Sequence, residues 1–285
     1  PDETLSVSGF GEGGSFGTWS AGTRISGAVL GTRAGLSVSS IDSDGSNSSR
    51  SGGEDDGYEN RTANLSVLAT PTDNLDLAFT GRYSDIHKEF DSTDWLTGLP
   101  ADTGDETDMS LGYFGATATL GLLEDRWIQS LRTAWTRSDT DNSNEFGANG
   151  STDADRYGVY YQSTYQFTPA SDSSAGNSLT LALDHEREDF SQRGAVAPWG
   201  DPNQDESDRN TAIVAEGLFS PLSQVSISLS ARHDDNSSFD NINTYRATTA
   251  WTDATTGTRL HAALGRGQKA PTFIERYGFF PGQFT

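Results

Sequence analysis

The sequence predicts an all-β fold, an antiparallel up-and-down β-barrel that spans a membrane. Three observations lead there. Apolar residues recur at every second position through most of the chain, so each segment has one apolar and one polar face. The connections between these segments alternate short and long, as turns and loops do on the two sides of a membrane barrel. Hydrophobic content is only 33%, yet the chain carries 6 Trp, 9 Tyr and 14 Phe. A barrel that meets lipid outside and water inside needs no continuous oily core, so low hydrophobicity and many aromatics are compatible.

About thirteen strands are expected, most of them ten residues or slightly more, a length suited to tilted membrane strands. The first three lie near 3–11, 14–24 and 28–41, and a fourth near 58–70. In the fifth, 74–85, Leu75, Leu77, Phe79 and Tyr83 alternate with Asp76, Thr80, Arg82 and Ser84. The sixth and seventh fall near 108–121 and 126–137. In the eighth, 156–168, Tyr157, Val159, Tyr161, Tyr165 and Phe167 form the apolar row. In the ninth, 178–188, that row is Leu179, Leu181 and Leu183. After a tenth near 209–220, the eleventh, 224–233, sets Val225, Ile227, Leu229 and Ala231 against Ser226, Ser228, Ser230 and Arg232. The last two lie near 243–252 and 257–268. No convincing helical stretch is found.

Short connections at 71–74, 122–125, 221–224 and 253–257 are expected to be periplasmic. Long ones near 42–57, 86–107, 138–155, 189–208 and 234–242 are rich in Asp, Ser, Gly and Asn and are expected to be extracellular loops. Trp127, Trp135, Phe167, Phe219 and Trp251 fall near strand ends, where an interfacial aromatic girdle sits. Arg82, Arg132 and Arg246 share the polar parity of their strands and are expected to face the lumen.

Composition excludes several classes. There is no Cys, hence no disulfide scaffold, Cys zinc site or thiol nucleophile. With 41 acids against 19 bases, nucleic acid is not expected as a partner, because binding it requires clustered Lys and Arg. No apolar run approaches a transmembrane helix, no signal peptide is visible, and the chain starts at Pro1 rather than Met. Gly9-Phe-Gly11-Glu-Gly-Gly14 and Gly265-Arg-Gly267-Gln-Lys-Ala270 fit dinucleotide-binding glycine patterns, but neither opens a helix, which phosphate binding requires. Gly13-Gly-Ser15-Phe-Gly17 fits a nucleophile elbow but sits in a hairpin loop. His87, His185, His233 and His261 show no metal spacing. No nucleophile, base and orienting group come together, and an enzyme is not expected.

The stretch Leu260-His-Ala-Ala-Leu-Gly-Arg-Gly-Gln-Lys-Ala-Pro-Thr-Phe-Ile-Glu-Arg-Tyr-Gly-Phe resembles the late-barrel signature of TonB-dependent outer-membrane receptors, carried by Lys269-Ala-Pro271 and Arg276-Tyr-Gly-Phe279. Ala231-Arg-His-Asp-Asp-Asn-Ser-Ser-Phe239 and Asp208-Arg-Asn-Thr-Ala-Ile213 resemble the cobalamin-receptor branch. The resemblance implies one barrel domain over residues 1–285, roughly the first 13 of about 22 strands, with the plug domain and TonB box absent. It implies an outer-membrane active-transport receptor for a scarce nutrient, with cobalamin or a related corrinoid as the expected solute. The expected partners are outer-membrane lipid, the corrinoid or a metal chelate, and TonB through the missing plug. A siderophore receptor of the same superfamily is the first alternative. A secreted acidic calcium-binding β-protein, either an adhesin or a carbohydrate-binding module, is the second.

Two loops carry acids suited to Ca²⁺, which takes six to eight oxygen ligands. The resemblance assigns calcium to these same loops, with Asp42 or Asp44, Glu54, Asp56, Asp85 and Asp91 as candidate ligands. Their spacing is not that of an EF-hand. Tyr58, Trp95, Phe190 and Trp199 lie in the expected long loops and are candidates to stack on a large planar solute.

Overall fold

The computed structural model describes residues 5–49, 52–94, 96–168, 176–198 and 200–278. They form a single antiparallel sheet of thirteen strands in strict chain order. The strands are β1 (Ser6–Gly13), β2 (Trp19–Val29), β3 (Thr32–Ser43), β4 (Tyr58–Thr72), β5 (Leu75–Thr93), β6 (Pro100–Leu122) and β7 (Trp127–Asn144). They continue as β8 (Gly147–Thr168), β9 (Asn177–Gly194), β10 (Gln204–Leu222), β11 (Val225–Asn236), β12 (Ile242–Thr252) and β13 (Arg259–Arg266). Every neighbour pairs as in a meander, so local hairpins alone account for the topology. One five-residue helix follows, α1 (Phe273–Tyr277). It corrects the expectation of no helix, and its start was encoded. Pro271 precedes Thr272, whose side chain accepts from the Glu275 backbone N–H while the Glu275 carboxylate accepts from the Thr272 N–H.

The sheet has no second layer to pack on. Among the described residues the fully buried apolar side chains are only Ala212, on β10, and Pro202, outside the strands. Leu131, Leu181, Leu183, Leu229 and Leu264 stay exposed on one face. Cross-strand register confirms that this face is shared, because Leu131 pairs with Tyr161, Tyr161 with Leu183, and Leu183 with Ile213. A sandwich would have interlocked these rows with a partner sheet. Here they form a continuous outward belt, as a wall against hydrocarbon requires.

Aromatic side chains bound the belt on both sides. On the outer side, Phe79, Phe114, Trp135 and Tyr157 stack in a row across β5 to β8, with ring centroids 6.5, 5.4 and 6.4 Å apart. On the periplasmic side stand Trp127, Tyr165, Phe167, Phe219 and Trp251. Trp127 and Trp135 are eight residues apart on β7, roughly 27 Å along the strand, or about 20 Å after tilt. That matches the ~25 Å apolar band of an outer-membrane barrel. Trp135 therefore marks an interface without ending its strand.

Strand number agrees with expectation, but strand length does not. β6 has 23 residues and β8 has 22, about twice what a bilayer needs. The expected loops at 86–107 and 138–155 are mostly strand, reduced to 94–99 and the two-residue link 145–146. Of the expected long loops, 44–57 keeps nearly its expected length, while 189–208 shrinks to 195–203 and 234–242 to 237–241. The cause is physical. Beyond the aromatic row both faces meet water, so hydrophobic alternation ceases while backbone pairing continues.

The periplasmic turns are tight, as expected. Leu30 and Gly31 both take positive φ, 49° and 76°, which is the two-residue turn that matches strand twist.

The opposite face is polar. One row perpendicular to the strands runs Asn64, Arg82, Tyr113, Thr136, Arg156, Glu188 and Asp208. Arg82, Arg132 and Arg246 all share the parity of this inner face, in agreement with the sequence reading.

Candidate functional site at the outer rim

The segment 44–57 folds over the outer ends of β5 and β6. Its path begins at Gly45, which holds φ 73°, and a side chain there would collide with the Asp56 carbonyl. The next residues present donors to acids from three places. The Asn47 N–H donates to Asp55 at 3.1 Å and the Ser48 N–H to Asp56 at 2.8 Å, both within the loop. Ser48 Oγ and the Ser49 N–H donate to Asp91 of β5 at 2.9 and 2.8 Å. Asn47 Nδ2 donates to Asp102 of β6 at 2.6 Å.

These bonds gather Glu54, Asp91 and Asp102, whose carboxylate oxygens lie within 4.8 Å of one another. That spacing is about twice a Ca²⁺–oxygen bond. Electrostatics divides the three. Asp91 is held below the usual carboxylate range, chiefly by the Thr103 N–H at 3.1 Å and then by Ser48 and Ser49. Glu54 is pushed up, first by desolvation and then by the negative charges of Asp102, Glu89, Asp91 and Asp56. Asp91 is thus a fixed anion, while Glu54 is a carboxylate short of positive charge. Asn47 Oδ1 is buried and accepts no hydrogen bond from the described residues. A leftover neutral oxygen beside a carboxylate cluster is the kind of ligand that calcium adds to acids, so the residues present fit the ion.

The structure sorts the sequence candidates. Glu54 and Asp91 come together, with Asp56 nearby. Asp42 is the penultimate residue of β3, paired with Glu59, and Asp44 packs against Gly17. Asp85 was expected where the fifth strand gives way to its loop but lies well inside β5, between Arg61 and Ser110 on the outward face, because β5 runs on to Thr93. Asp102 and Asn47 were missed. The acid-rich run Pro100-Ala-Asp-Thr-Gly-Asp105 was legible, but it was not foreseen as a paired strand end.

The aromatic candidates fare differently. Tyr58 opens β4 on the inner face, half-buried, and its hydroxyl accepts from Asn60 Nδ2 at 3.0 Å. Phe190 was expected in a loop but lies in β9, where its inward ring stacks on Phe273 of α1 at 5.5 Å. Trp95 and Trp199 lie outside the described residues.

The helix α1 is the feature that sequence reading did not anticipate. It docks against the inner wall through Arg276, whose guanidinium bonds Asp208 at 2.9 Å. The same group lies over the rings of Phe239, Phe273 and Tyr277. Neighbouring inner-wall cations are likewise matched. Arg156 meets Glu186 and Glu188 at 2.6 and 3.2 Å, and Arg232 meets Asp184 and Asp234 at 2.5 and 2.8 Å.

A lipid-facing belt between two aromatic girdles, a polar inner wall and a structured outer rim define the wall of an outer-membrane β-barrel. Residues 4–285 match the family of TonB dependent receptor-like β-barrels, and the chain belongs to that family. It is an outer-membrane protein. It is similar to the vitamin B12 transporter BtuB of Photobacterium profundum, 26% identical over 224 residues, which are 79% of this chain and 33% of that protein. Among solved structures it resembles the siderophore receptor PirA from Acinetobacter baumannii, with a TM-score of 0.70 and 12% identity, covering 95% of this chain and 44% of that one. It also resembles the alcaligin outer membrane receptor FauA from Bordetella pertussis, with a TM-score of 0.69 and 13% identity, covering 92% and 43%. The chain thus spans about a third of the curated relative and less than half of these structures, whose likeness shows the fold.

Proposed function

We propose that this chain forms the wall and outer rim of a TonB-dependent uptake receptor that carries cobalamin or a related corrinoid into the periplasm. The observation that carries this reading is the similarity to a vitamin B12 transporter across 79% of the chain. The geometry is compatible with it. A polar inner wall offers a large hydrophilic solute hydrogen bonds in place of water, and Tyr58 sets an aromatic ring at the rim on that face. No bond is made or broken in the solute. The work of release belongs to TonB, coupled through parts of the receptor other than this wall. The test is competition binding on the complete receptor in detergent. Labelled cyanocobalamin should be displaced by unlabelled cyanocobalamin and not by a ferric catecholate chelate. Displacement by the chelate alone would replace this reading with a siderophore receptor.

Within this reading Ca²⁺ orders the rim, held by Glu54, Asp91 and Asp102, with Asn47 Oδ1 and Asp56 adjoining. Asp42, Asp44 and Asp85 are not part of the set. Calorimetry with Ca²⁺ should show saturable heat on the complete receptor, weakened at least tenfold by Glu54→Gln. Because Glu54 ionises less readily than a free Glu, affinity should fall on acidification sooner than for an ordinary carboxylate site. Absence of saturable heat at millimolar Ca²⁺ removes the ion from the account.

A further inference from the structure

We propose that the inner wall carries a subsite for a small organic anion, an apolar body bearing one carboxylate or phosphate group, with Arg82 as the anion-binding residue. The site is a cavity of about 470 Å³ on the inner face of β5 to β9. That is the size of a small-molecule pocket. Its floor is the short-chain stretch of the inner rows, Thr136, Ser138 and Ala154. Leu111 and the ring of Tyr113 line one side, and Phe273 of α1 lines the other. Phe273 is fixed by its stack on Phe190, and α1 by the Arg276–Asp208 bond, so the wall opposite Tyr113 is built rather than incidental.

Charge selects the ligand. Arg156 and Arg232 on this inner wall, and Arg276 of the helix docked on it, each have a carboxylate partner. Arg82 has none among the described residues; its Nε donates only to Ser84 Oγ, at 3.4 Å. Three acids are among the lining residues, Glu188, Asp155 and Asp189, and each is held by another group, Asp155 by Trp135 Nε1 at 2.9 Å and Asp189 by Arg187 at 2.7 Å. Glu188 is engaged by Arg156 at 3.2 Å, and Asp155 and Asp189 take the parity of the outward face. A guanidinium presents parallel N–H groups that match two oxygens of a carboxylate or phosphate. Rings and Leu111 flank it, so the rest of the ligand is apolar and flat. The site stands apart from the Glu54 cluster and does not depend on the identity of the transported solute.

The experiment uses the complete receptor in detergent, with 1-naphthyl phosphate as the probe and uncharged 1-naphthol as its control. Calorimetry should show saturable binding of the phosphate, at least tenfold tighter than the naphthol. Arg82→Gln should abolish that preference, and Arg82→Lys should restore part of it. Phe273→Ala should weaken both probes alike. Heat-modifiable migration shows that each variant is folded. The proposal is overturned if the two probes bind equally, if Arg82→Gln leaves the preference intact, or if the phosphate gives no saturable heat. The last outcome would mean that a carboxylate from elsewhere in the receptor already occupies Arg82.

Discussion

On β9 the outward residues Leu179, Leu181 and Leu183 give way to His185, Arg187 and Asp189 with no break in pairing to β10. On β7 the outward series changes in the same way, from Leu131, Thr133 and Trp135 to Arg137, Asp139 and Asp141. The change falls at the stacked row of Phe79, Phe114, Trp135 and Tyr157. Below it, outward side chains meet lipid and are held by the cost of wetting them. Above it, they meet water and settle into ion pairs, Arg137 with Asp139 and Asp153 at 2.7 and 2.6 Å, and Arg187 with Asp189 at 2.7 Å. One backbone architecture thus serves two solvents, and the side-chain rules change at a line one residue wide.

The largest expected effect breaks the lower zone. Leu131 lies midway between Trp127 and Trp135, and Leu131→Arg should cost about 2–4 kcal/mol in equilibrium refolding into lipid vesicles, the depth-dependent penalty of a midplane cation. A cost near zero would place the belt elsewhere. Next comes the inner face above the row. Arg276 and Asp208 are mostly buried, with 11% and 17% of their side chains exposed. Arg276→Ala removes the charge-assisted bond to Asp208, whose other oxygen keeps the Ser237 and Ser238 hydroxyls, and should cost about 2 kcal/mol of α1 docking. Trypsin cleavage after Lys269 should then quicken by more than tenfold, and an unchanged rate would detach α1 from this contact. A smaller effect sharpens the contrast. Ser110 takes outward parity above the row, and Ser110→Arg should cost no more than ~1 kcal/mol in the same refolding assay, as near the interface.

The smallest effect is a change of pH profile in the upper zone. Asp153 is pushed up to about 6, mainly by a hydrogen bond shared with Asp139 and then by desolvation. An unfolded Asp ionises near 3.9, so the folded protein holds an extra proton between about pH 4 and pH 6. Stability therefore declines as pH rises through that window. Asp139, held low by Arg137, works in the opposite sense and reduces the slope. Asp153→Asn should flatten the thermal midpoint between pH 4 and 6. A slope equal to that of the parent would assign the titration to another group.

The same contrast explains what sequence could reveal. Thirteen strands were legible because lipid imposes a period of two on at least one face of each. The upper halves were not, since a run such as Asp139-Thr-Asp-Asn-Ser143 is polar on both faces and reads as a loop although it is paired throughout. That misreading set Asp85 at a strand end and Phe190 in a loop, and it hid Asp102. Glu54 and Asp91 were found because their acid-rich surroundings stand out in composition. The stack of Phe190 on Phe273 joins residues far apart in the chain, and no local pattern records it. The capping box of α1 was present in Thr272 and Glu275 and simply passed unread.

The link between β7 and β8 is only Glu145 and Phe146. Counting from Tyr157 up to Gly147, this tip stands about 25 Å beyond the lipid boundary, after allowing for strand tilt. A short peptide tag spliced there would ride on a stiff mast in reach of an antibody applied to living cells. The same tag between Asp73 and Asn74 would stay hidden until the envelope is opened. Two insertions and one stain would thus read out which way the wall is mounted.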